Sequence, residues 1–196
     1  MRRMILGAAA LVLAGAGCAS LRQLMALEQV RFDLHRVGEV RLAGIDLERV
    51  RSFSGLSPAD LLTLGAAVAR KDLPLDFNAV VRAENPGDAV VTARLVRFAW
   101  TLYLDDVETI HGTVDEPVEL PPGSPQLVRI GMQLNLMDFF DDTAETLFGL
   151  ASALSSPDAD PVTISLYALP TVETPLGPIS YPEPVRIIRR PVGGGP

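Results

Sequence analysis

Three observations predict that this chain is an all-β protein, an antiparallel β-sandwich with two short helical insertions. Apolar and polar residues alternate along several segments, which is typical of strands that bury one face. Turn-forming clusters such as Asn85-Pro86-Gly87-Asp88 separate these segments. Two segments, near residues 57–70 and 138–155, instead show the spacing of an amphipathic helix. We expect these helices to cover the open ends or one edge of the sandwich.

The alternation is clearest from Leu73 to Ala83, where almost every second residue is apolar, and it recurs in Val96–Leu104 and Val128–Leu136. Shorter strands are predicted at Val30–Leu34, at Val40–Leu42 after a turn at Gly38, at Val162–Ala168 and at Val185–Ile188. The apolar faces of two packed sheets meet in one core. The residues expected at its centre are Phe77, Phe98, Trp100, Ile130 and Leu134.

The first helical insertion has a clear start signal. Ser57 is a suitable N-cap and Pro58 suits the first helical position. The predicted buried stripe of this helix consists of Leu61, Leu62, Gly65, Ala66 and Ala69.

The second helical insertion is predicted from Asp138 to about Leu154, with carboxylates crowding its first turns. Its apolar face consists of Phe140, Ala144, Leu147, Phe148, Ala151 and Leu154. Consecutive helix positions are about 100° apart, so Phe139 falls beside this stripe. We consider Phe139 a candidate partner surface. The alternative is that it packs beneath a neighbouring loop.

The N-terminus resembles the start of an exported protein. A short basic region is followed by the apolar stretch Met4–Leu13 and by small residues that end at Cys18, the only cysteine. About ten apolar residues are too few for a bilayer-spanning helix, which needs roughly 20. The segment resembles the lipobox of bacterial lipoproteins, although Gly15 stands where that pattern prefers leucine. An incidental cysteine in a plain secretory peptide, or an uncleaved anchor, is the alternative.

The lipobox resemblance implies that residues 1–17 are a signal peptide and that Cys18 is the lipidation site. Residues 18–28 then form a lipid-anchored tether, either a short helix or a mobile linker, before a domain at 29–190 and a flexible tail at 191–196. The cysteine is not followed by the aspartate that marks inner-membrane retention in enterobacterial lipoproteins. This implies a protein held by its lipid in the outer membrane and facing the periplasm.

The charge balance excludes one class of partner. Without residues 1–17 the chain has 15 basic and 24 acidic side chains, a net charge of −9. Binding to a phosphate backbone requires clusters of lysine and arginine, so we expect no nucleic-acid partner. A single cysteine allows no internal disulfide, so stability must come from a packed core.

The segment from Leu75 to Val114 resembles the late embryogenesis abundant (LEA) type 2 family, or WHy (water stress and hypersensitive response) domain. An alternating strand ends in Asn85-Pro86, the next strand has Phe98 and Trp100 near its middle, and the third contains Gly112. The Pro-Pro-Gly turn at 121–123 and the stretch Val172-Glu173-Thr174-Pro175-Leu176-Gly177 extend the resemblance to about residues 30–190. Two features depart from the family: a helical insertion at 49–71, and Gly87 where the family often has asparagine.

The family resemblance implies an immunoglobulin- or fibronectin type III-like sandwich associated with desiccation and other stress. It implies no catalytic residues. Asn85 and Pro86 are expected to be structural, because asparagine can bond nearby backbone and proline fixes the corner.

The sequence offers no grouping of residues that predicts catalysis or a metal site. His35 and His111 are far apart and lack neighbouring cysteines or carboxylates at ligand spacing. Asp105-Asp106 is more simply a hairpin turn, and Asp141-Asp142 a helix start. We therefore expect a protein that is not an enzyme and uses no cofactor.

Two functional hypotheses follow. The first is a stress-protective or holdase-like lipoprotein of the cell envelope, which shields envelope proteins or the membrane surface during water loss through an acidic, well-hydrated exterior. The second is an envelope adaptor or assembly module, which binds one specific partner through the sandwich edge or the 138–155 helix.

Overall fold

The computed structural model describes residues 30–50, 52–89, 91–104, 106–155, 164–174 and 177–188. The predicted signal peptide, Cys18, the tether and the tail lie outside the described residues. Within them the strands are β1 (Arg31–Leu42), β2 (Ile45–Asp46), β3 (Pro74–Glu84), β4 (Ala93–Leu104), β5 (Val107–Val114), β6 (Val118–Leu120), β7 (Gln126–Asn135), β8 (Ile164–Thr174), β9 (Gly177–Ser180) and β10 (Val185–Ile188). The helices are α1 (Pro58–Ala69) and α2 (Ala144–Ser155), and short 3₁₀ turns lie at Phe53–Gly55 and Leu136–Asp138.

Two antiparallel sheets pack against each other. The first has the order β2-β1-β3-β7, and the second has the order β10-β8-β4-β5, with β6 also paired to β4 and β9 to β8. The rings of Phe32 in the first sheet and Phe98 in the second are 5.6 Å apart, so the two inner faces share one core. The prediction of an all-β sandwich with two helical insertions is confirmed.

The long predicted strands are also confirmed, and so is their facing except at Val96, which is only half-buried beside a register shift between Leu95 and Arg97, where Leu95 is buried instead. The alternating residues from Leu73 to Ala83 are all buried, at most 3% exposed. The five residues expected at the centre belong to one buried cluster, in which Trp100 is 8% exposed. The inner faces are almost entirely aliphatic and aromatic, and their burial supplies the main stabilising term of the fold.

The predicted turn at Gly38 is wrong, because β1 runs on to Leu42. Both halves of β1 pair with β3, and the register shifts between Gly38 and Arg41. The irregularity places Glu39 at φ 58°, where its N–H donates to Glu48 Oε1 over 2.7 Å and its carboxylate accepts from Asn78 Nδ2 over 2.7 Å. These bonds hold a bulge, so the chain bends at Gly38 without reversing.

The start of α1 is as predicted, but its facing is not. Ser57 Oγ accepts from Asp60 N over 3.2 Å, Asp60 accepts in return from Ser57 N over 3.1 Å, and Pro58 begins the helix. The buried residues are Leu64 and Ala67. All five residues of the predicted buried stripe are exposed. Because nearly every position of α1 is apolar, the periodicity could not select a face.

The second helix begins at Ala144, six residues later than predicted. Thr143 provides its N-terminal contacts, since Thr146 N donates to Thr143 Oγ1 over 3.3 Å and Leu147 N to Thr143 O over 3.0 Å. The aspartates at 138, 141 and 142 therefore precede the helix. Leu147 and Phe148 are buried, and α2 packs against β1. Within the described residues, no helix is long and apolar enough to cross a bilayer.

Candidate functional site

The outer face of the second sheet carries an open groove of about 650 Å³, which we call the β4 trough. Its floor and walls are formed by Ala99 and Thr101 on β4, Tyr167 and Leu169 on β8, and His111 and Thr113 on β5. Tyr103 and Asp106 lie at the end of β4 and the following turn and also line the groove.

Strand register explains why a groove forms here. Thr101 lies opposite Tyr167 on one side and His111 on the other, and Ala99 lies opposite Leu169 and Thr113. The central strand thus carries small side chains between larger ones on both neighbours. Residues two apart on a strand share one face, so this difference in size extends along β4 as a channel.

Aromatic and charged side chains order one wall of the trough. The rings of Tyr103 and Tyr167 meet edge to face with centroids 5.3 Å apart. The Arg186 guanidinium lies 5.8 Å from the Tyr167 ring centroid, and it donates to Ser165 Oγ over 2.9 Å. These contacts fix the Tyr167 ring between its neighbours.

Tyr103 is held in its neutral form at the end of the trough. Its Oη donates to Glu108 Oε2 over 2.7 Å, and this hydrogen bond to the carboxylate raises the pKa of the phenol above its ordinary value. The Glu108 carboxylate is correspondingly occupied by Tyr103.

The polar side chains inside the trough differ from the charged side chains around it in whether they have a bonding partner. Elsewhere on this face two arginines form ion pairs, Arg94 with Glu173 and Arg97 with Asp115. The hydroxyls of Thr101 and Thr113, the Tyr167 hydroxyl and the His111 imidazole have no hydrogen-bond partner among the residues that the structure describes. The trough therefore combines an apolar floor and wall with unsatisfied donors and acceptors.

Gly112 determines how closely β5 approaches Trp100 on the inner side of the sheet. The two residues are register partners, and a Cβ atom at Gly112 would lie 2.6 Å from Trp100 Cζ2. The indole therefore occupies the space of the missing side chain. In the sequence Gly112 stood out only as part of the family-like strand, because its neighbour across the sheet depends on register.

Asn85 joins three chain segments at one end of the sandwich. Its side chain is 1% exposed, and Nδ2 donates to Val91 O and Leu120 O, each over 2.9 Å. The backbone carbonyl of Asn85 accepts from Gly123 N over 2.9 Å, and Pro86 O accepts from Ala89 N over 3.0 Å. Asn85 and Pro86 thus hold the loop between β3 and β4 against the β6–β7 turn.

The structure does not bring the remaining candidates for chemistry together. His35 and His111 are exposed and lie on strands of different sheets. Asp106, at φ 62°, lies in the turn between β4 and β5, and Asp141 and Asp142 are exposed before α2. In the described part of the chain, no group of three or more His, Cys, Asp or Glu side chains could hold a metal ion.

Phe139 does not lie on a helix, which corrects the argument that made it a candidate partner surface. It follows the 3₁₀ turn, and its N–H donates to Leu136 O over 3.1 Å. The side chain is half-buried and packs against the core, as does that of Phe140. The apolar face of α2, offered as a docking element, is itself occupied by the core of this protein.

Among the described residues, the large apolar side chain with the highest exposed fraction lies on α1. Leu62 is 76% exposed and Leu61 42%. The α1 apolar face, as we call it, consists of Leu61, Leu62, Gly65, Ala66 and Ala69, all exposed. Sequence reasoning assigned these residues to the core and so did not identify this surface.

Comparisons with known proteins were made by sequence and by structure. No protein-family model and no curated protein matches the sequence. Among solved structures, a protein from Archaeoglobus fulgidus is similar at 14% identity with a TM-score of 0.33, over 60% of this chain and 86% of that one. A solution structure of a protein provisionally described as late embryogenesis abundant (LEA) is similar at 14% identity with a TM-score of 0.37, over 94% of this chain and 84% of that one.

Proposed function

We propose that this protein is a non-enzymatic, lipid-anchored protein of the cell envelope that protects other proteins during water stress by binding their exposed apolar segments. The observation that carries this proposal is the α1 apolar face. A holdase needs such a surface, since non-native clients expose apolar side chains that are buried in their folded state.

The exposed leucines of α1 do not gain the free energy that burial of an apolar side chain contributes. Fully burying one leucine side chain contributes about 1.5–3 kcal/mol, and Leu62 forgoes most of that gain in the isolated protein. Contiguous exposed apolar patches on soluble proteins commonly mark contact sites. The helix has one acidic residue, Asp60, and its carboxylate is engaged by Ser57. The exposed surface of α1 is thus suited to apolar segments of varied sequence.

The charge of the rest of the protein complements this role. The chain has a formal net charge of −7, and a net charge far from zero keeps proteins soluble by mutual repulsion. A holdase with an exposed apolar face needs that repulsion, because it must bind clients without binding copies of itself.

The proposed location rests on the lipobox-like N-terminus. Acylation of Cys18 would hold the domain in the outer membrane, facing the periplasm. The resemblance to LEA type 2 proteins supports a stress-protective role in this compartment.

The test compares protection of clients by the protein and by a variant carrying both Leu61→Ser and Leu62→Ser. Citrate synthase and lactate dehydrogenase, two unrelated clients, are dried or heated with each protein, and aggregation is followed by light scattering. We expect the double variant to lose most of its protection while its melting temperature is unchanged, because both leucines are exposed. The matched control is Leu127→Ser on β7, a residue 51% exposed and outside α1. Full protection by the double variant would rule out the proposal.

The adaptor hypothesis is favoured by one separate feature, the free edge of the second sheet. Among the described strands, β5 pairs on one side only, with β4, so its other side can accept a strand from a partner. Nanomolar binding of one envelope protein that is unaffected by the two leucine substitutions would favour the adaptor over the holdase.

A further inference from the structure

We infer that the β4 trough binds a neutral oligosaccharide, a function separate from the proposed protection of clients. The inference rests on the shape of the trough, on its ordered aromatic wall, on its unpartnered hydroxyl and imidazole groups, and on a lining that includes no lysine or arginine among the described residues.

The dimensions of the trough suit a short chain of linked sugar rings. Its volume of about 650 Å³ lies within the range of roughly 300–1,000 Å³ that is typical of small-molecule sites. From Ala99 to Tyr103 the floor extends four residues along β4, or about 13 Å at the rise of a strand, which accommodates about two to three pyranose rings. The open top allows a longer chain to continue beyond the ends.

The apolar surfaces match the less polar faces of a pyranose. A sugar ring presents C–H groups on its faces, and these pack against aromatic rings and aliphatic side chains. Ala99 and Leu169 provide aliphatic surface, and Tyr167 provides a ring. Because Tyr103 and Arg186 already hold the Tyr167 ring in place, little side-chain entropy is lost when a ligand binds.

The polar groups match the hydroxyls around the rim of the sugar ring. Thr101, Thr113 and Tyr167 each carry a hydroxyl that can donate and accept, and neutral His111 offers one donor and one acceptor. None of these groups is satisfied by another described residue. A ligand with many hydroxyls can satisfy them, whereas a purely apolar ligand would bury them without partners.

The charges favour a neutral ligand over an anionic one. Glu108 is hydrogen-bonded to Tyr103, and Arg186 donates to Ser165 and lies beside the Tyr167 ring, but neither Glu108 nor Arg186 is among the lining residues. The charged group of the lining is Asp106, an acid. A phosphate or carboxylate ligand would find no free cation among the lining residues, and it would approach a protein of net charge −7.

A peptide fits the trough less well than a glycan. The groove lies on the face of the sheet, and the backbone of β4 is already paired with β5 and β8 on its two sides. A peptide lying there would leave its own N–H and C=O groups to be satisfied by a few side chains, at a cost for each group that remains unpaired.

The experiment measures binding of maltotetraose, cellotetraose and chitotetraose to the full-length protein by calorimetry and by changes in NMR chemical shifts. We expect at least one of them to bind, with shifts centred on Thr101, His111 and Tyr167. Thr101→Val keeps the shape and removes one hydroxyl, and should weaken binding about fivefold, the equivalent of one hydrogen bond. Ala99→Phe fills the floor and should abolish binding.

The matched control is Thr92→Val, an exposed threonine in the loop before β4, and melting temperatures verify that each variant is folded. Absence of binding by all three sugars would overturn the inference. Binding unchanged by both trough substitutions, or binding of a neutral hexapeptide without any sugar, would overturn it as well. Client protection by the Ala99→Phe variant reports separately on the proposed holdase function, since the trough and the α1 apolar face share no residue.

Discussion

Gly112 is the residue at which one added methyl group would meet the core most directly. A Cβ atom there would lie 2.6 Å from Trp100 Cζ2 and 2.9 Å from Cε2, so the indole or the edge strand would have to shift. The indole is 8% exposed and rigid, so it has little freedom to move.

We therefore expect Gly112→Ala to lower the free energy of unfolding by about 1–3 kcal/mol, the usual cost of overpacking a core. Urea unfolding monitored by the single tryptophan measures this change directly. The control is Gly131→Ala on β7, where the nearest neighbour of the added atom is Asn78 Oδ1 at an ordinary 3.5 Å. Equal stability of the two variants would contradict the proposed close packing.

Single residues differ in how far the sequence reveals their roles. Ser57 and Pro58 act on the backbone next to them, so their capping roles could be predicted from local order alone. The sequence also marked Asn85 as a corner residue, but not its bonds to Val91 and Leu120. Those bonds join parts of the chain that only the pairing of strands brings together.

For the two helices, the sequence predicted that they exist but not how they are placed. Both were predicted from apolar spacing, and both exist. The predicted facing of α1 was wrong because a helix with so few polar residues has no polar side to identify. The start of α2 was wrong because Thr143 and the turn at Leu136–Asp138 divide what looked like one continuous pattern.

The segment between β7 and α2 gives a prediction for Phe139. Its side chain is half-buried against the core, so Phe139→Ser should lower the free energy of unfolding by about 1–3 kcal/mol and leave client protection intact once the protein is folded. Thermal unfolding and the aggregation assay measure the two effects. Asp141→Ser, an exposed neighbour, serves as the control. Lost protection at an unchanged melting temperature would instead identify Phe139 as part of a partner surface.

For the molecule as a whole, the alternation of apolar residues predicted two sheets and their common core. It could not predict the order of strands within each sheet, nor the short strands β2, β6 and β9, which contain too few residues to show a period. The β4 trough could not be predicted either, because its shape depends on which strands are neighbours in the sheet. It arises from the relative sizes of side chains on three strands, and their register is fixed only when the sheet forms.

The last prediction concerns attachment of the whole chain to the membrane through Cys18. If Cys18 is acylated, Cys18→Ser should abolish incorporation of labelled fatty acid and release the exported protein from the membrane fraction. The substitution Ser20→Ala, two residues further on, should leave both unchanged. If the Cys18→Ser variant still incorporates labelled fatty acid and stays in the membrane fraction, the proposed lipid anchor at Cys18 is wrong.

The length of β1 determines how far an anchored molecule reaches. Its first residue pairs near the end of β3 and its last near the start, so the C-terminal end of α1, which leads into β3, lies toward the opposite end of the sheet from residue 30. Twelve residues of strand separate the two ends by about 40 Å. An attachment at the N-terminal end would leave the exposed leucines free to project from the membrane into the surrounding compartment. In a protein anchored in this way, the strand would act as a rigid spacer, and its length would set the height of the exposed leucines above the membrane.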